Sequence, residues 1–236
     1  MKPQKLLTYT RKAIDDYHMI QNVDKIAVGI SGGKDSLTLL YALSKLQAFY
    51  PQSFDLVALT VDLGFSNYDT TLLSQYAETL GVEYYVEKTE IASIVFDYKK
   101  ESNPCSLCSR LRKGALNTRA IELGCNKIAY AHHKDDVLDS FIMSLLYEGR
   151  LHTFSPVTKL ERTNLELIRP LIYAYEGEIA SFADTQQLPV MKNPCPADGI
   201  TKRQEARELI MNLRATVPEV KERIFSAITG AGLDGW

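Results

Sequence analysis

A glycine-rich turn between an apolar strand and an amphipathic helix is the feature that most limits what this chain can fold into. KIAVGI at Lys25–Ile30 predicts a buried strand, and SGGKDS at Ser31–Ser36 leads directly into a helix predicted over Ser36–Phe49. Apolar runs that alternate with helical segments continue to about residue 150. This alternation is typical of a parallel sheet with helices on both faces. We therefore predict an α/β protein with three layers.

The rest of the chain predicts further elements of the same kinds, without internal repeats or a clear linker. Further strands are predicted at Asp55–Val61, Val82–Glu87, Lys127–Ala131 and Leu165–Arg169. Further helices are predicted at Lys5–Ile20, Tyr68–Leu80, Leu107–Leu123, Asp135–Tyr147, Tyr175–Gln187, Lys202–Arg214 and Glu219–Thr229. The pattern predicts one domain with a helical C-terminal extension.

Composition restricts the setting of the protein. No apolar run reaches the roughly 18 residues that a membrane helix needs, and the N-terminus lacks the apolar segment of a secretory signal. We therefore expect a cytoplasmic protein without membrane contact. The 27 basic and 29 acidic residues give a net charge of −2, which disfavours tight, non-specific binding to nucleic acid but allows a local basic face.

The glycine-rich turn at Ser31–Ser36, here called the phosphate turn, has the chemistry of an anion site. Free backbone N–H groups and the helix dipole attract phosphate to a helix start, and glycine lets the ligand approach the backbone closely. Asp35 would repel phosphate unless a divalent cation such as Mg²⁺ lay between them. The alternative is a tight turn whose glycines serve geometry alone. The candidate nucleotide-binding residues here are Ser31, Gly32, Gly33, Lys34, Asp35 and Ser36.

The spacing of the phosphate turn is neither GxxxxGK[ST] nor GxGxxG. SGGKDS instead resembles the pyrophosphate loop of the PP-loop ATPases, also called N-type ATP pyrophosphatases. The resemblance implies an adenine-nucleotide α-hydrolase-like fold that cleaves ATP between its α and β phosphates. It also implies one PP-loop domain made of an N-terminal helix (1–22), a nucleotide-binding core (23–170) and the helical extension (171–236).

Three of the four cysteines are candidate metal ligands. Cys105 and Cys108 form a CxxC pair at the start of a predicted helix, where the helix dipole favours thiolates. Cys195 lies between Pro194 and Pro196, which predict an extended loop that presents the thiol. Three thiolates can hold an iron–sulfur cluster with one iron left open. A zinc site completed by a histidine, or plain buried thiols, is the alternative. Cys125 precedes a buried strand and is predicted to lie in the core.

SGGKDS, PCxxC and a single late cysteine in combination resemble the TtcA/TtuA-type tRNA thiolases, nearest to the TtcA-like tRNA 2-thiocytidine synthases. The resemblance covers about Lys25 to Ile228. It implies a [4Fe–4S] cluster on Cys105, Cys108 and Cys195, tRNA as substrate, and a homodimer. The chain lacks the flanking CxxC pairs of the TtuA branch, which disfavours 2-thiouridine synthesis of that type. It is also compact at its N-terminus compared with familiar TtcA members, which leaves the target base open.

A second polar cluster, AHHKDD, follows the fourth predicted strand, at a sheet edge where α/β proteins bind ligands. His132 is predicted to line the ATP pocket, and Asp135 or Asp136 to hold Mg²⁺ or orient the substrate. Either aspartate could instead cap the helix that follows. Asp62, after the second strand, could face the nucleotide or form a turn before Gly64. The candidate catalytic residues are Asp35, Asp135 and Asp136.

Basic residues on two predicted helices and one loop could form a rim that faces RNA, or merely solvated helix faces. They are Arg110, Arg112, Lys113, Arg119, Arg150, Lys202, Arg203 and Arg207.

The predicted reaction is adenylation of a base carbonyl by ATP, with Mg²⁺ near Asp35, followed by attack of sulfur and release of AMP. The sulfur would arrive as sulfide on the open iron or as a persulfide from a cysteine desulfurase. Three alternatives remain open: a PP-loop ligase or amidotransferase that delivers nitrogen without a cluster, a non-catalytic ATP-binding sensor, and a redox or metal-storage module.

Overall fold

The computed structural model describes residues 1–65, 68–99, 104–192, 195 and 202–236. Within these ranges, six strands form one sheet in the order β3-β2-β1-β4-β6-β5. The first five strands in this order pair in parallel, and β5 runs antiparallel to β6. The predicted α/β fold with a mainly parallel sheet is confirmed. The strands are β1 (Asp24–Gly29), β2 (Phe54–Asp62), β3 (Glu83–Lys88), β4 (Lys127–Ala129), β5 (Val157–Leu160) and β6 (Leu165–Ile168).

Helices connect the parallel strands and extend the chain at its C-terminal end. Two of them, α4 and α6, continue into π-helical turns at Ile94–Lys99 and Ser144–Glu148. The helices are α1 (Pro3–Asp16), α2 (Lys34–Gln47), α3 (Thr71–Thr79), α4 (Ile91–Ser93), α5 (Pro104–Glu122), α6 (Lys134–Met143), α7 (Glu176–Thr185), α8 (Lys202–Thr216) and α9 (Val220–Gly230).

Each face of the sheet is buried under helices because side chains alternate along a strand. In β1, Ile26 and Val28 belong to a core that includes residues of α1, α2 and α7. Ala27 belongs to the opposite core, where Leu116 of α5 packs. The protein therefore has three layers, helix on sheet on helix, as the strand and helix pattern predicts.

The C-terminal segment packs in two different places. Phe182 of α7 is fully buried beside Tyr41 of α2, with ring centroids 5.1 Å apart, and so belongs to the main core. The helices α8 and α9 pack against α6 and form a separate cluster with residues such as Ile210 and Phe225. This cluster brings α8 next to the end of the sheet that carries the phosphate turn.

Three local features differ from the sequence prediction, and one of them is the unpredicted helix α4 with its π-helical turn. The strand predicted at Lys127–Ala131 ends at Ala129, although the N–H of Tyr130 still donates to the carbonyl of Ile168 at 3.0 Å. The short edge strand β5 was not predicted; its sequence, VTKL, is partly polar, and it is held by antiparallel pairing to β6. Within the described part of the chain, every helix is too short or too polar to span a bilayer.

Candidate functional site

A cleft of about 550 Å³ opens at the carboxyl ends of the central strands. Ser31 after β1, Leu63 after β2 and His132 after β4 all line it. The strand order places β2 and β4 on opposite sides of β1, so the connections diverge here, as they do at the ligand-binding edge of open α/β sheets. Helix α5 forms the opposite wall through Ser109 and Arg112.

The phosphate turn forms one wall of the cleft and is held by its own hydroxyl groups. The backbone N–H of Ser31 donates to Oγ of Ser36 at 3.2 Å. The Ser36 hydroxyl donates to the carbonyl of Gly33 at 2.9 Å. Gly33 is the N-cap residue of α2 and makes no side-chain cap, so the first N–H groups of this helix are available to an anion.

Asp35 and Lys34 lie next to each other but make different contacts. Asp35 lines the cleft, and among the described residues no group hydrogen-bonds to its buried Oδ1 atom. An unpaired carboxylate oxygen beside a phosphate site fits a Mg²⁺ ligand. Lys34 does not line the cleft, since its Nζ atom lies 3.0 Å from Glu176 and 3.2 Å from Asp35. Burial opposes its charge, but the two carboxylates outweigh burial and raise the pKa of Lys34.

Gly32 connects the phosphate turn to the segment that leads to Cys195. It is buried and adopts a φ of +81°, which favours glycine. Its carbonyl accepts the N–H of Met191 at 2.9 Å, and a Cβ added to it would lie 3.2 Å from Met191 Cβ. Met191 itself lines the cleft, four residues before Cys195.

The three candidate metal-binding cysteines lie in one electrostatic neighbourhood. Cys105 and Cys108 are in the first turn of α5, directly before the cleft-lining Ser109. Burial raises the pKa of Cys108, Arg112 lowers it, and the nearby Cys195 and Cys105 raise it further. Pro194 and Pro196, predicted to extend the loop around Cys195, lie outside the described residues.

As placed, no three His, Cys, Asp or Glu side chains of the described residues are close enough to hold a metal ion. The three thiols are therefore neighbours without being gathered at ligand distances. Cys125, by contrast, is 6% exposed in the core under α5, as predicted.

The AHHKDD cluster separates into residues that face the cleft and residues that do not. His132 and Asp136 line the cleft. Asp136 also caps α6, since its Oδ2 atom accepts the N–H of His133 at 3.0 Å, and it pairs with Arg203 at 2.9 Å. The predicted capping role and the position beside the cleft thus occur in the same residue.

Asp135, predicted to hold Mg²⁺ or orient the substrate, and Asp62, predicted to face the nucleotide, both lie outside the lining of the cleft. Asp135 accepts the N–H of Glu176 at 2.7 Å, which caps α7, and pairs with Lys221 of α9. Its pKa is lowered: burial would raise it, but the Glu176 N–H and Lys221 prevail. Asp62 accepts the N–H of Gly64 at 2.9 Å in a tight turn.

Only part of the predicted basic rim faces the cleft. Arg112, Lys113 and Arg203 line it. The pKa of Lys113 is lowered by burial and then by repulsion from neighbouring arginines, so a bound polyanion would relieve this repulsion. Arg119, Arg150, Lys202 and Arg207 instead pair with acidic side chains beyond the lining of the cleft.

Sequence reasoning missed Arg169, which lies just after β6 and is 6% exposed. Its Nε atom donates to Nδ1 of His132 at 3.2 Å. Phe154 packs against the His132 ring with a centroid distance of 4.8 Å. A charged residue at the end of a predicted buried strand was the available signal, because a buried arginine needs specific partners.

Comparison with known sequences gives consistent matches over nearly the whole chain. The family profile of the PP-loop domain matches residues 5–214. A tRNA-cytidine(32) 2-sulfurtransferase of Syntrophotalea carbinolica is 35% identical over 228 residues, covering 95% of this chain and 88% of that protein. Proteins of the same name from Pelobacter propionicus and Aliivibrio salmonicida are 37% and 39% identical, covering 82% and 74% of their own lengths.

Solved structures agree with this assignment of the fold. The U34-tRNA thiolase NcsA from Methanococcus maripaludis, solved with its [4Fe-4S] cluster, superposes with a TM-score of 0.74 at 27% identity, covering 94% of this chain and 76% of that one. An NH3-dependent NAD synthetase from Campylobacter jejuni has a TM-score of 0.50 at 19% identity, covering 80% and 75%, and shares the fold alone.

Proposed function

The chain belongs to the PP-loop domain family, and from this premise we propose that it is an ATP-dependent tRNA sulfurtransferase that makes 2-thiocytidine. The curated relatives named above carry the name tRNA-cytidine(32) 2-sulfurtransferase and are matched over at least 74% of their length. The observation that carries the proposal is the pairing of two walls in one cleft. The phosphate turn forms one wall, and the helix that begins with Cys105 and Cys108 forms the other.

ATP fits this cleft with its phosphates at the start of α2. The N–H groups there and the cationic side chains of Arg112, Lys113 and Arg203 would neutralise the triphosphate. Asp35 would hold Mg²⁺ through its unpaired oxygen. Lys34 acts indirectly in this arrangement, because its ion pair with Glu176 ties the phosphate turn to α7.

The donor set fits a [4Fe–4S] cluster on Cys105, Cys108 and Cys195. Thiolates are the ligands of such clusters, and three leave one iron without a protein ligand. Cys195 and Cys105 both raise the pKa of Cys108, which supports the proximity of the three thiols, while Arg112 lowers it. When bound, the cluster would supply the sulfur for the exchange. The sulfur's source is sulfide, or the persulfide of a cysteine desulfurase together with a thiol reductant that supplies two electrons and releases its outer sulfur as sulfide.

The carbonyl oxygen of a base is a poor leaving group, so ATP must activate it before sulfur can replace it. The carbonyl oxygen attacks the α-phosphorus of ATP, the bond to the β-phosphate oxygen breaks, and pyrophosphate departs. Sulfide then adds to the activated carbon, and AMP leaves with the former carbonyl oxygen. Donors fixed at the phosphate turn stabilise the charge that develops on pyrophosphate.

The two aspartates of AHHKDD take separate roles in this proposal. Asp136 faces the cleft and keeps Arg203 directed into it through their 2.9 Å ion pair. Asp135 is a positioning residue, because it caps α7 and fixes α9 through Lys221, away from the cleft lining. Asp62 shapes the turn after β2 and does not contact the nucleotide itself. Its neighbours Val61 and Leu63 line the cleft.

The partners in this proposal are tRNA, the sulfur donor and a second copy of the chain in a homodimer. We place the enzyme in the cytoplasm, where tRNA is modified. The net charge of −2 does not oppose tRNA binding, because Arg112, Lys113 and Arg203 line the cleft and attract phosphate locally.

Nucleoside analysis of bulk tRNA from a strain that lacks this gene tests the proposal. We expect 2-thiocytidine to disappear and to return with the wild-type gene or with Cys125→Ser, since Cys125 lies in the core. Cys195→Ser should fail to restore it. An unchanged nucleoside profile in the deletion strain contradicts the proposal. Restoration by a Cys105, Cys108 and Cys195 triple variant would mean that the thiolation does not depend on a cluster held by these cysteines.

A further inference from the structure

The hydrogen bond between His132 and Arg169 fixes more than the position of the ring. His132 follows β4 and lines the cleft, with its ring against Phe154 at an interplanar angle of 33°. Its Nδ1 atom lies 3.2 Å from Nε of Arg169. A guanidinium can only donate hydrogen bonds, so Nδ1 of His132 must present its lone pair.

Arg169 is itself held so that it cannot turn away from His132. Its Nη1 atom donates to the carbonyl of Ser155 and, at 2.9 Å, to the hydroxyl of Thr158. The guanidinium lies 4.9 Å from the centre of the Phe154 ring. In the described part of the chain no acidic side chain forms an ion pair with it, so the orientation of Arg169 depends on these hydrogen bonds and this packing.

The ring of His132 is kept neutral by its surroundings. Burial lowers the pKa of His132, and Asp136 of α6 opposes this effect. Arg169, Arg203 of α8 and Lys113 of α5 lower it further, so the net pKa is well below the usual range. A neutral imidazole carries one proton, and with Nδ1 occupied as an acceptor that proton resides on Nε2.

We propose that Arg169 is a positioning residue that holds His132 in the tautomer with its proton on Nε2. We propose further that this N–H donates to N3 of cytosine, the ring nitrogen next to the reactive C2 carbonyl that does not carry the sugar. This inference rests on the proposed function. Cytosine has a lone pair at that nitrogen and can accept this hydrogen bond. Uracil has an N–H group there, so two donors would face each other. A locked donor therefore favours cytosine and disfavours uracil.

The surroundings of His132 suit a base better than a phosphate. Tyr130 and Phe154 flank the ring, with centroids 5.8 and 4.8 Å away. Aromatic side chains stack on unpaired bases in RNA recognition. The phosphates have their own partners at the phosphate turn and on α5, so a neutral donor among aromatic rings is left for the heterocycle.

The tautomer is tested directly by NMR on the full-length chain labelled with ¹⁵N-histidine. We expect a pyrrole-type Nε2 and a pyridine-type Nδ1 for His132, assigned by loss of its signals in His132→Gln. In Arg169→Met, the two nitrogens should move toward the averaged pattern of exchanging tautomers. A proton on Nδ1 of His132 in the wild type overturns the proposal. This measurement needs no catalytic activity, so its failure is distinct from failure of the proposed function.

Kinetics with reconstituted enzyme test the role of the donor. Gln places an N–H near the position of Nε2, so His132→Gln should keep most of the thiolation of a cytidine-containing tRNA transcript. His132→Phe should lose about tenfold or more in kcat/KM for tRNA, with the KM for ATP unchanged. If Gln fails as completely as Phe, the ring acts as a base and not as a donor. If Phe raises only the KM for ATP, the donor serves adenine, and the cytosine contact is wrong.

The preference for cytosine over uracil at the target position provides a third test. The wild type should bind a transcript with uridine at the target position about tenfold or more weakly than the cytidine transcript, and His132→Phe should narrow this difference. Equal preference in the wild type and in His132→Phe contradicts the proposal.

Discussion

Replacing Gly32 by alanine should damage the phosphate turn through two separate effects. An L-residue at φ +81° is strained by roughly 1–2 kcal/mol. The new Cβ would also lie 3.2 Å from Met191 Cβ and 3.3 Å from its Sδ atom, so one of the two segments must shift. The strained variant can lower its energy by leaving the conformation of the turn that binds ATP. If the alternative conformation is favoured by about 2 kcal/mol, the apparent affinity for ATP falls by about 30-fold.

The matched control is Gly81→Ala. Gly81 also has a positive φ, +69°, but an added Cβ would have no atom within 4 Å. Both variants should lose stability in urea unfolding through backbone strain, and only Gly32→Ala should lose ATP affinity in titration calorimetry. Adding Met191→Gly should return part of the affinity, because it removes the Cβ, Cγ and Sδ atoms that the new Cβ would meet while the backbone hydrogen bond remains.

The reasoning is refuted by either of two results. Gly32→Ala could bind ATP as tightly as Gly81→Ala does, which would mean that the turn accepts a side chain. Alternatively, Met191→Gly could leave the Gly32→Ala defect unchanged, which would mean that the side chain of Met191 does not constrain the turn.

Two further predictions concern the carboxylates of the site. Asp35→Asn should weaken binding of MgATP, because it removes the Mg²⁺ ligand. It should not weaken binding of ATP in EDTA, because it also removes a charge that repels phosphate. Calorimetry measures the affinity for each form, and equal weakening of both would argue against a Mg²⁺ role. Lys221→Met should destabilise the fold by about 2 kcal/mol at pH 7, because Asp135 stays buried with one partner fewer. The folded-state pKa of Asp135 is lowered, so this contribution is present above the unfolded value of about 4 and lost as pH falls through the folded pKa. Urea unfolding of both proteins from pH 7 to pH 3 should show the difference shrinking in acid; a constant difference would contradict the ion-pair account.

The fold could be predicted because its information is local. Short apolar runs such as that of β1, separated by helices that end near glycine, are enough to indicate a parallel sheet. The strand β5 carries no such signal, since VTKL is stabilised by a neighbour in the sheet and not by its own pattern. The π-helical turn at Ile94–Lys99 also has no sequence signature that we recognised.

The site could be predicted only in part because the direction of a side chain depends on distant residues. Lys34 sits in the phosphate turn, yet its partner Glu176 is 142 residues away. Asp135 and Asp136 are adjacent, but Lys221 attracts one and Arg203 the other. Met191 belongs to a segment whose sequence has no apparent chemistry, and the signal of Arg169, a charge at the end of a buried strand, does not name its partner. They gain a role only when the fold brings them to Gly32 and His132.

Product stoichiometry in a reconstituted reaction tests the central claim most directly. With sulfide, a cytidine-containing tRNA and ATP labelled with ³²P at the α position or, in a parallel reaction, at the γ position, the account predicts one AMP and one pyrophosphate for each 2-thiocytidine formed, and no AMP when tRNA is omitted. Formation of ADP and phosphate, or of AMP without thionucleoside, would contradict adenylation of the base.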